Sequence, residues 1–405
     1  MNTTTISTSA EAQSPRTADE DYNYALGYLR ALVVALVVAH HSLLAYYAYA
    51  PGPNASLAVV PRWWQAFPVV DPQRWGLAAL LVGFNDIFFM ALMFFLSGLF
   101  VWRGLARKGG VRFLRDRLLR LGIPFAVAAL LLAPIAYYPA YLQTTEHPGF
   151  WREWWSLGQW PAGPAWFLWV LFVFDCAAAL LFFAAPRWAE AAGRRLEPAG
   201  KSPALFYVAL VAVTGAAYVP MAIHFSPLRW SAWGPFTFQT SRILLYLTYF
   251  LIGAALGARG TTRGLLEPKG KLARCWLLWV LTAPVFFGVA VALTIAAATM
   301  KSLPPALYVA VNAAFVFSCA ASGLACLALA LRFAQRRSRE LDSLNANSYA
   351  IYLLHYMFVS WLQLALTHAT MPPALKFAMV FTAALALSWT TAAILRRIPA
   401  VRRLV

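Results

Sequence analysis

The sequence predicts an all-α fold: a polytopic membrane bundle of about ten transmembrane helices with both termini in the cytosol. Three observations carry that reading. The 405-residue chain is 61% hydrophobic and only 12% charged, whereas soluble domains are about 45–50% apolar and roughly a quarter charged. Its apolar runs are near the ~20 residues a helix needs to cross about 30 Å of hydrocarbon; strands of an outer-membrane barrel would be about half as long and would alternate. Its cations concentrate in alternate loops, as the positive-inside rule requires of a multi-pass protein.

Taken in order, Met1 to Asp21 is rich in Ser, Thr and Ala with several acids, which predicts a disordered cytosolic tail; residues 22–405 then form a single transmembrane domain. A signal peptide is not expected, because the start is neither basic nor followed closely by a short apolar stretch. The Ala48-Tyr49-Ala50 triplet mimics a cleavage site but follows an overlong segment containing Arg30, His40 and His41. The apolar runs predict spans near residues 25–48, 77–102, 121–142, 164–185, 204–224, 241–258, 274–298, 306–331, 343–366 and 373–395.

The loop after the second span carries Arg103, Arg107, Lys108, Arg112, Arg115, Arg117 and Arg120, and the next loop on that side Arg187, Arg194, Arg195 and Lys201. Further groups follow at Arg259 to Arg274, Arg332 to Arg339 and Arg396 to Arg403, while the opposite loops hold only scattered cations such as Arg62, Arg74, Arg152, Arg229 and Lys301. Both termini therefore fall in the cytosol, which needs an even number of spans. Topology and attraction to anionic lipid account for the net charge of +18, so membrane lipid is an expected partner and nucleic acid is not. Cys176, Cys275, Cys319 and Cys326 lie inside spans without metal-ligand spacing, so neither disulfides nor a metal site is expected. No internal repeat, Gly-rich phosphate loop or clear soluble domain is present, which leaves the chemistry to the bundle.

Ionisable residues at membrane depth are costly and usually face a cavity or a partner. Arg30 and His41 are eleven positions apart, which returns them to almost one helical face about 16 Å apart. Histidine suits proton exchange with a hydroxyl near neutral pH, although His40 or His41 can also serve only to hydrogen-bond a neighbouring helix. Asp86, on the antiparallel second span, is the expected partner of a first-span histidine; a neutral Asp86 bonded elsewhere is the alternative. Asp175 lies mid-span in an apolar stretch with nothing else to recommend it. Asn345, Ser348, Tyr352 and His355 recur at spacings of three, four and three, a polar stripe that calls for a cavity or for interhelical hydrogen bonds. Arg112-x-x-Arg115 and Arg117-x-x-Arg120 can hold phosphates by bidentate hydrogen bonds, or serve topology alone. The outer loop with Trp151, Trp154, Trp155 and Trp160 reads as an interfacial aromatic belt in preference to a platform for stacking sugars.

These residues resemble the acyltransferase 3 family of membrane-bound O-acyltransferases, in particular its branch similar to the glucan succinyltransferase of glucan biosynthesis. The resemblance spans most of the chain. It rests on Arg30 and His41 with ten residues between them, Phe94-Phe95-Leu96-Ser97-Gly98, Arg117-Leu-Leu-Arg120 running into Ile123-Pro124, Trp166-Phe167-Leu168, and Ser348-Tyr349-Ala350-Ile351-Tyr352-Leu353-Leu354-His355. It implies His41 as catalytic base, Arg30 as a donor-site or structural cation, and Arg117 and Arg120 as the donor-binding pair; Asp86 as the partner of His41, and Arg112 and Arg115 as further donor-site cations, rest on placement and spacing alone. The adjacent His40 departs from the pattern, and helical phase with Arg30 favours His41. Ser97 and Tyr352 are candidate oxyanion donors; Trp166, Ser348 and His355 are further cavity candidates.

The implied reaction moves an acetyl or succinyl group from cytosolic acyl-CoA, a co-substrate with no bound cofactor, to a hydroxyl of an extracytoplasmic carbohydrate or glycan. The implied location is the bacterial cytoplasmic (inner) membrane. The rival class, a multi-pass transporter or flippase for a polar or glycolipid substrate, uses similar residues but usually shows inverted repeats and paired broken helices, and the sequence has neither.

Overall fold

The structure, a computed structural model, describes residues 23–404; the expected tail at Met1 to Asp21 lies outside the described residues. Among these, ten helices are long and apolar enough to cross a membrane. They run Tyr24–Tyr46, Gly76–Lys108, Gly110–Leu142, Gly163–Ala184, Pro203–Phe225, Thr240–Arg259, Trp276–Ala298, Pro305–Phe333, Arg339–Leu366 and Pro373–Leu395, and are the first to tenth spans below. Each overlaps a predicted span. A short antiparallel hairpin, β1 (Trp230–Trp233) and β2 (Phe236–Gln239), joins the fifth and sixth spans with Trp230 opposite Gln239.

The first span is central, packing on the second, eighth, ninth and tenth. Apolarity alone does not separate core from rim: the seventh and eighth spans have the same mean hydropathy of 2.2, yet 11% of the former and 78% of the latter is buried. Close approach is decided by small residues. A methyl group on Gly98 would lie 2.1 Å from the Phe250 carbonyl, and one on Gly257 would lie 1.8 Å from that of Leu99. Glycine lets the second and sixth backbones touch, so Gly98 of the Phe-Phe-Leu-Ser-Gly run has a packing role.

The third span is interrupted twice. Helical segments Gly110–Arg117, Ile123–Val127 and Ala133–Leu142 are joined by wide turns at Leu118–Gly122 and Ala128–Leu132, the π geometry often found where a helix must reposition a functional group. Pro124 and Pro139 lack an N–H, so neither can bond the carbonyl four residues back. The ninth span supplies the missing donors: the Tyr349 hydroxyl donates to the Arg120 carbonyl at 2.5 Å, and Trp361 Nε1–H to that of Ile135 at 2.9 Å. Tyr349→Phe should cost about 1 kcal/mol of stability and free the backbone at Arg120. Thermal unfolding in detergent, with hydrogen exchange at the third span measured alongside, checks both.

At the end opposite the arginine-rich loops, Trp64, Tyr137, Trp154 and Tyr356 form a second core. The outer-loop tryptophans are therefore divided: Trp154, on the short helix Phe150–Ser156, packs inward. Trp151 and Trp155 are exposed and stack 6.4 Å apart. Lys376 at the start of the tenth span is buried with Asp71 of the loop between the first and second spans, Nζ to Oδ2 2.8 Å.

Candidate active site

Residues from five spans and the C-terminal segment converge on one cavity of about 590 Å³. Its mouth, at the arginine-rich end, is lined by Arg30, Arg107, Lys108, Arg117, Arg120, Arg396 and Arg402, with Asp116 as the one acidic side chain among the described residues. Lys108 neutralises Asp116 at 2.5 Å. Further in lie Ser97, Phe167, Ser348 and Tyr352. A cationic rim leading to an apolar, hydroxyl-bearing interior suits an anionic head with a long neutral arm.

Of the five arginines expected to hold a donor, Arg30, Arg117 and Arg120 line this cavity, whereas Arg112 and Arg115 are exposed outside it. Helical phase explains the split: Phe113, Asp116, Arg117 and Arg120 share the cavity face of the third span, and the other two arginines point away. Asp175, unremarkable in the sequence, has a fully buried side chain with Oδ2 3.2 Å from Arg117 Nε, and Arg117 also covers the Phe113 ring at 5.0 Å. Arg107, Lys108, Arg396 and Arg402 read as topology charges in the sequence; the fold makes them cavity walls.

Side chains of the first and ninth spans bond at several levels, two of which concern the site. Near the mouth, Arg30 Nη2 donates to Asn345 Oδ1 at 3.0 Å. Deeper in the bundle, His41 Nδ1 lies 3.2 Å from His355 Nε2. The predicted stripe on the ninth span thus leads from cavity to histidine pair: Ser348 and Tyr352 line the cavity, and His355 follows Tyr352 by one turn.

Hydrogen-bond partners fix the tautomers of both rings. His41 Nδ1 is 2.9 Å from the Val37 carbonyl and His355 Nδ1 is 2.7 Å from that of Tyr352. A carbonyl only accepts, so each Nδ1 carries the hydrogen. His355 Nε2 is then a lone-pair nitrogen, and the His41 Nδ1–H is shared between it and Val37. His41 Nε2 is left as the basic nitrogen, and a proton arriving there strengthens the bonds that Nδ1–H already makes. Gln363 Nε2–H donates to the carbonyls of His41 and Ser42 at 2.9 and 3.2 Å, holding the end of the helix.

Asp86 is not the carboxylate behind His41. It holds Arg242, which the sequence reading passed over: Arg242 Nη2 donates to Asp86 Oδ2 at 2.6 Å and Nη1 to the Asp86 carbonyl at 2.9 Å. The tight second and sixth spans bring a guanidinium to the carboxylate, and a cation outcompetes a neutral imidazole for it. Arg242 had a signal of its own, as an arginine at the edge of an apolar run, where a lone cation is costly. His40 faces this other side, stacked on Phe89 at 5.0 Å. Trp166 packs among Phe94, Trp230 and Tyr246 and does not line the cavity. The hydroxyls of Ser97, Ser348 and Tyr352 donate to the carbonyls of Met93, Asn345 and Pro164. To stabilise an oxyanion, any of them has to rotate.

Fold and site together define a multi-pass membrane protein with ionisable groups gathered inside the bundle. Residues 23–393 match the acyltransferase 3 family, described as an acyltransferase domain. The chain belongs to that family and is an acyltransferase. Among curated proteins and among solved structures, nothing matches the chain.

Proposed function

We propose that the protein transfers an acetyl or succinyl group from cytosolic acyl-CoA to a hydroxyl of an extracytoplasmic carbohydrate or glycan, in a bacterial inner membrane with both termini in the cytosol. One observation carries this reading: the arginine-rimmed cavity runs along the first and ninth spans toward the His41–His355 pair, reaching Tyr352, one turn short of His355, and Val34, two turns short of His41. Guanidinium groups at the rim suit the phosphates of CoA by charge-assisted bidentate bonds, and the cavity beyond suits its extended neutral arm. The succinyl option and the glycan acceptor rest on the resemblance to the glucan-modifying branch.

In the proposed reaction the acceptor hydroxyl gives its proton to His41 Nε2 as its oxygen attacks the thioester carbonyl. The tetrahedral oxyanion then collapses, the carbon–sulfur bond breaks, and the CoA thiolate leaves with its electron pair and takes the proton from His41. The products are an ester and CoA–SH, and the base is restored.

The test is transfer from radiolabelled acetyl-CoA and succinyl-CoA to a cell-envelope extract by the protein in nanodiscs. Label in glycan from either donor supports the reading, and no label in glycan from either refutes it. Arg120→Ala should raise the KM for acyl-CoA by about 10–100-fold, the loss of one hydrogen bond to a charged group, with a smaller effect on kcat.

A further inference from the structure

The ion pair of Asp86 with Arg242 belongs neither to the donor cavity nor to the histidine pair. The Arg242 side chain is 6% exposed and that of Asp86 is 45% exposed. Asp86 stands ten residues beyond Gly76, where the second span begins, about 15 Å along the helix. A carboxylate that open at such depth does not face hydrocarbon, where a charge is costly; it faces water or a polar ligand. The surrounding groups lie toward the end away from the arginine-rich loops. Arg242 is at the start of the sixth span with its guanidinium over Phe315 at 4.7 Å, and Tyr47, just past the first span, is within electrostatic range of the carboxylate. None of them lines the donor cavity.

Two buried nitrogens here have hydrogen-bonding capacity to spare: Arg242 Nε and His40 Nδ1 have no hydrogen-bond partner among the described residues. The His40 ring is within electrostatic range of both Asp86 and Arg242 and lies 5.2 Å from the His41 ring. An ion pair has little net charge to attract an anion or a cation. It offers instead a carboxylate that accepts from hydroxyls beside a guanidinium that donates to them, with an imidazole able to do either.

We infer that Asp86, Arg242 and His40 form the acceptor subsite, a vestibule for a neutral polyhydroxylated ligand such as a sugar, entered from the end opposite the donor cavity and leading to His41. This deepens the proposed function and rests on it for the identity of the reaction. It separates donor and acceptor on opposite sides of the first span, so that the two substrates meet at the histidines and not in a shared pocket.

The test is thiol accessibility in intact nanodiscs. With Cys176, Cys275, Cys319 and Cys326 replaced by alanine, Asp86→Cys should react with a charged, membrane-impermeant methanethiosulfonate. Tyr47→Cys, which leaves the ion pair intact, should react as well, and there a linear glucose oligosaccharide should slow the reaction at least ten-fold, whereas CoA should not; this variant also covers the case in which Asp86→Cys fails to fold. No modification of the folded variants, protection by CoA, or modification of Tyr47→Cys that the oligosaccharide does not slow each overturns the proposal. With acyl transfer by the unmodified protein assayed in parallel, sugar protection without transfer would sink the proposed reaction and leave the subsite standing. In kinetics, Asp86→Asn should raise acceptor KM about ten-fold and leave donor KM unchanged, whereas a purely structural role would degrade both.

Discussion

His41→Ala is expected to lower acyl transfer by about 10²–10⁴-fold, the usual contribution of a positioned general base, while acyl-CoA binding stays within a factor of two or three. The separation follows from geometry, because His41 lies beyond the donor cavity and touches none of its cationic rim. In the proposed reaction His355 would act through His41, as a positioning residue. Its Nε2 lone pair accepts from His41 Nδ1–H, orients the ring and favours the imidazolium formed during transfer, the part a carboxylate plays behind many catalytic histidines. A neutral imidazole does this more weakly than a carboxylate. His355→Phe should therefore lose about 10–100-fold in kcat and shift the pH–rate profile, with KM for acyl-CoA unchanged. His355→Gln, whose amide oxygen can accept the same bond, should recover part of the loss. The measurement is transfer rate against pH for the three variants in nanodiscs.

The largest effect on stability is expected at the other end of the bundle. Lys376 and Asp71 are 0% and 1% exposed, and Lys376 Nζ also approaches the Thr367 carbonyl at 3.4 Å. Removing one partner of such a pair leaves an uncompensated buried charge, at a cost of about 3–5 kcal/mol. Lys376→Met should lower the thermal midpoint markedly. Adding Asp71→Leu should restore most of the loss, because desolvating the pair already offsets much of its attraction. The pair also anchors the loop whose Asp71 N–H donates to the Ala45 carbonyl at 3.0 Å, four residues beyond His41. Residual activity of Lys376→Met should therefore fall faster on warming than that of the double variant, which thermal unfolding and timed activity assays would show.

The spans were legible because each depends on local composition, and hydrocarbon thickness sets their length. The stripe from Asn345 to His355 was legible for a related reason, since helical phase is a property of one segment. Partners were not. Asp86 and Arg242 are 156 residues apart and meet because glycines allow the second and sixth backbones to touch, a packing event that periodicity does not encode. Asp175 showed no purpose until the third span brought Arg117 to it. In the same way the arginine-rich loops read correctly as a topology signal, but which of their cations line a cavity depends on the face each presents. Helical phase with Phe113 and Asp116 decides that for Arg117 and Arg120, and the C-terminal segment decides it for Arg396 and Arg402.

The central claim, that His41 is the base for transfer from a donor held in the arginine-rimmed cavity, is tested most directly by a single-turnover reaction. Radiolabelled acyl-CoA at saturating concentration would be mixed with glycan acceptor and either the unmodified protein or His41→Ala in nanodiscs, with bound donor and acylated glycan measured from the same sample. Equal amounts of bound donor are expected in the two proteins, with acylated glycan only in the unmodified one. Equal glycan acylation by His41→Ala would contradict the role of His41 as the base.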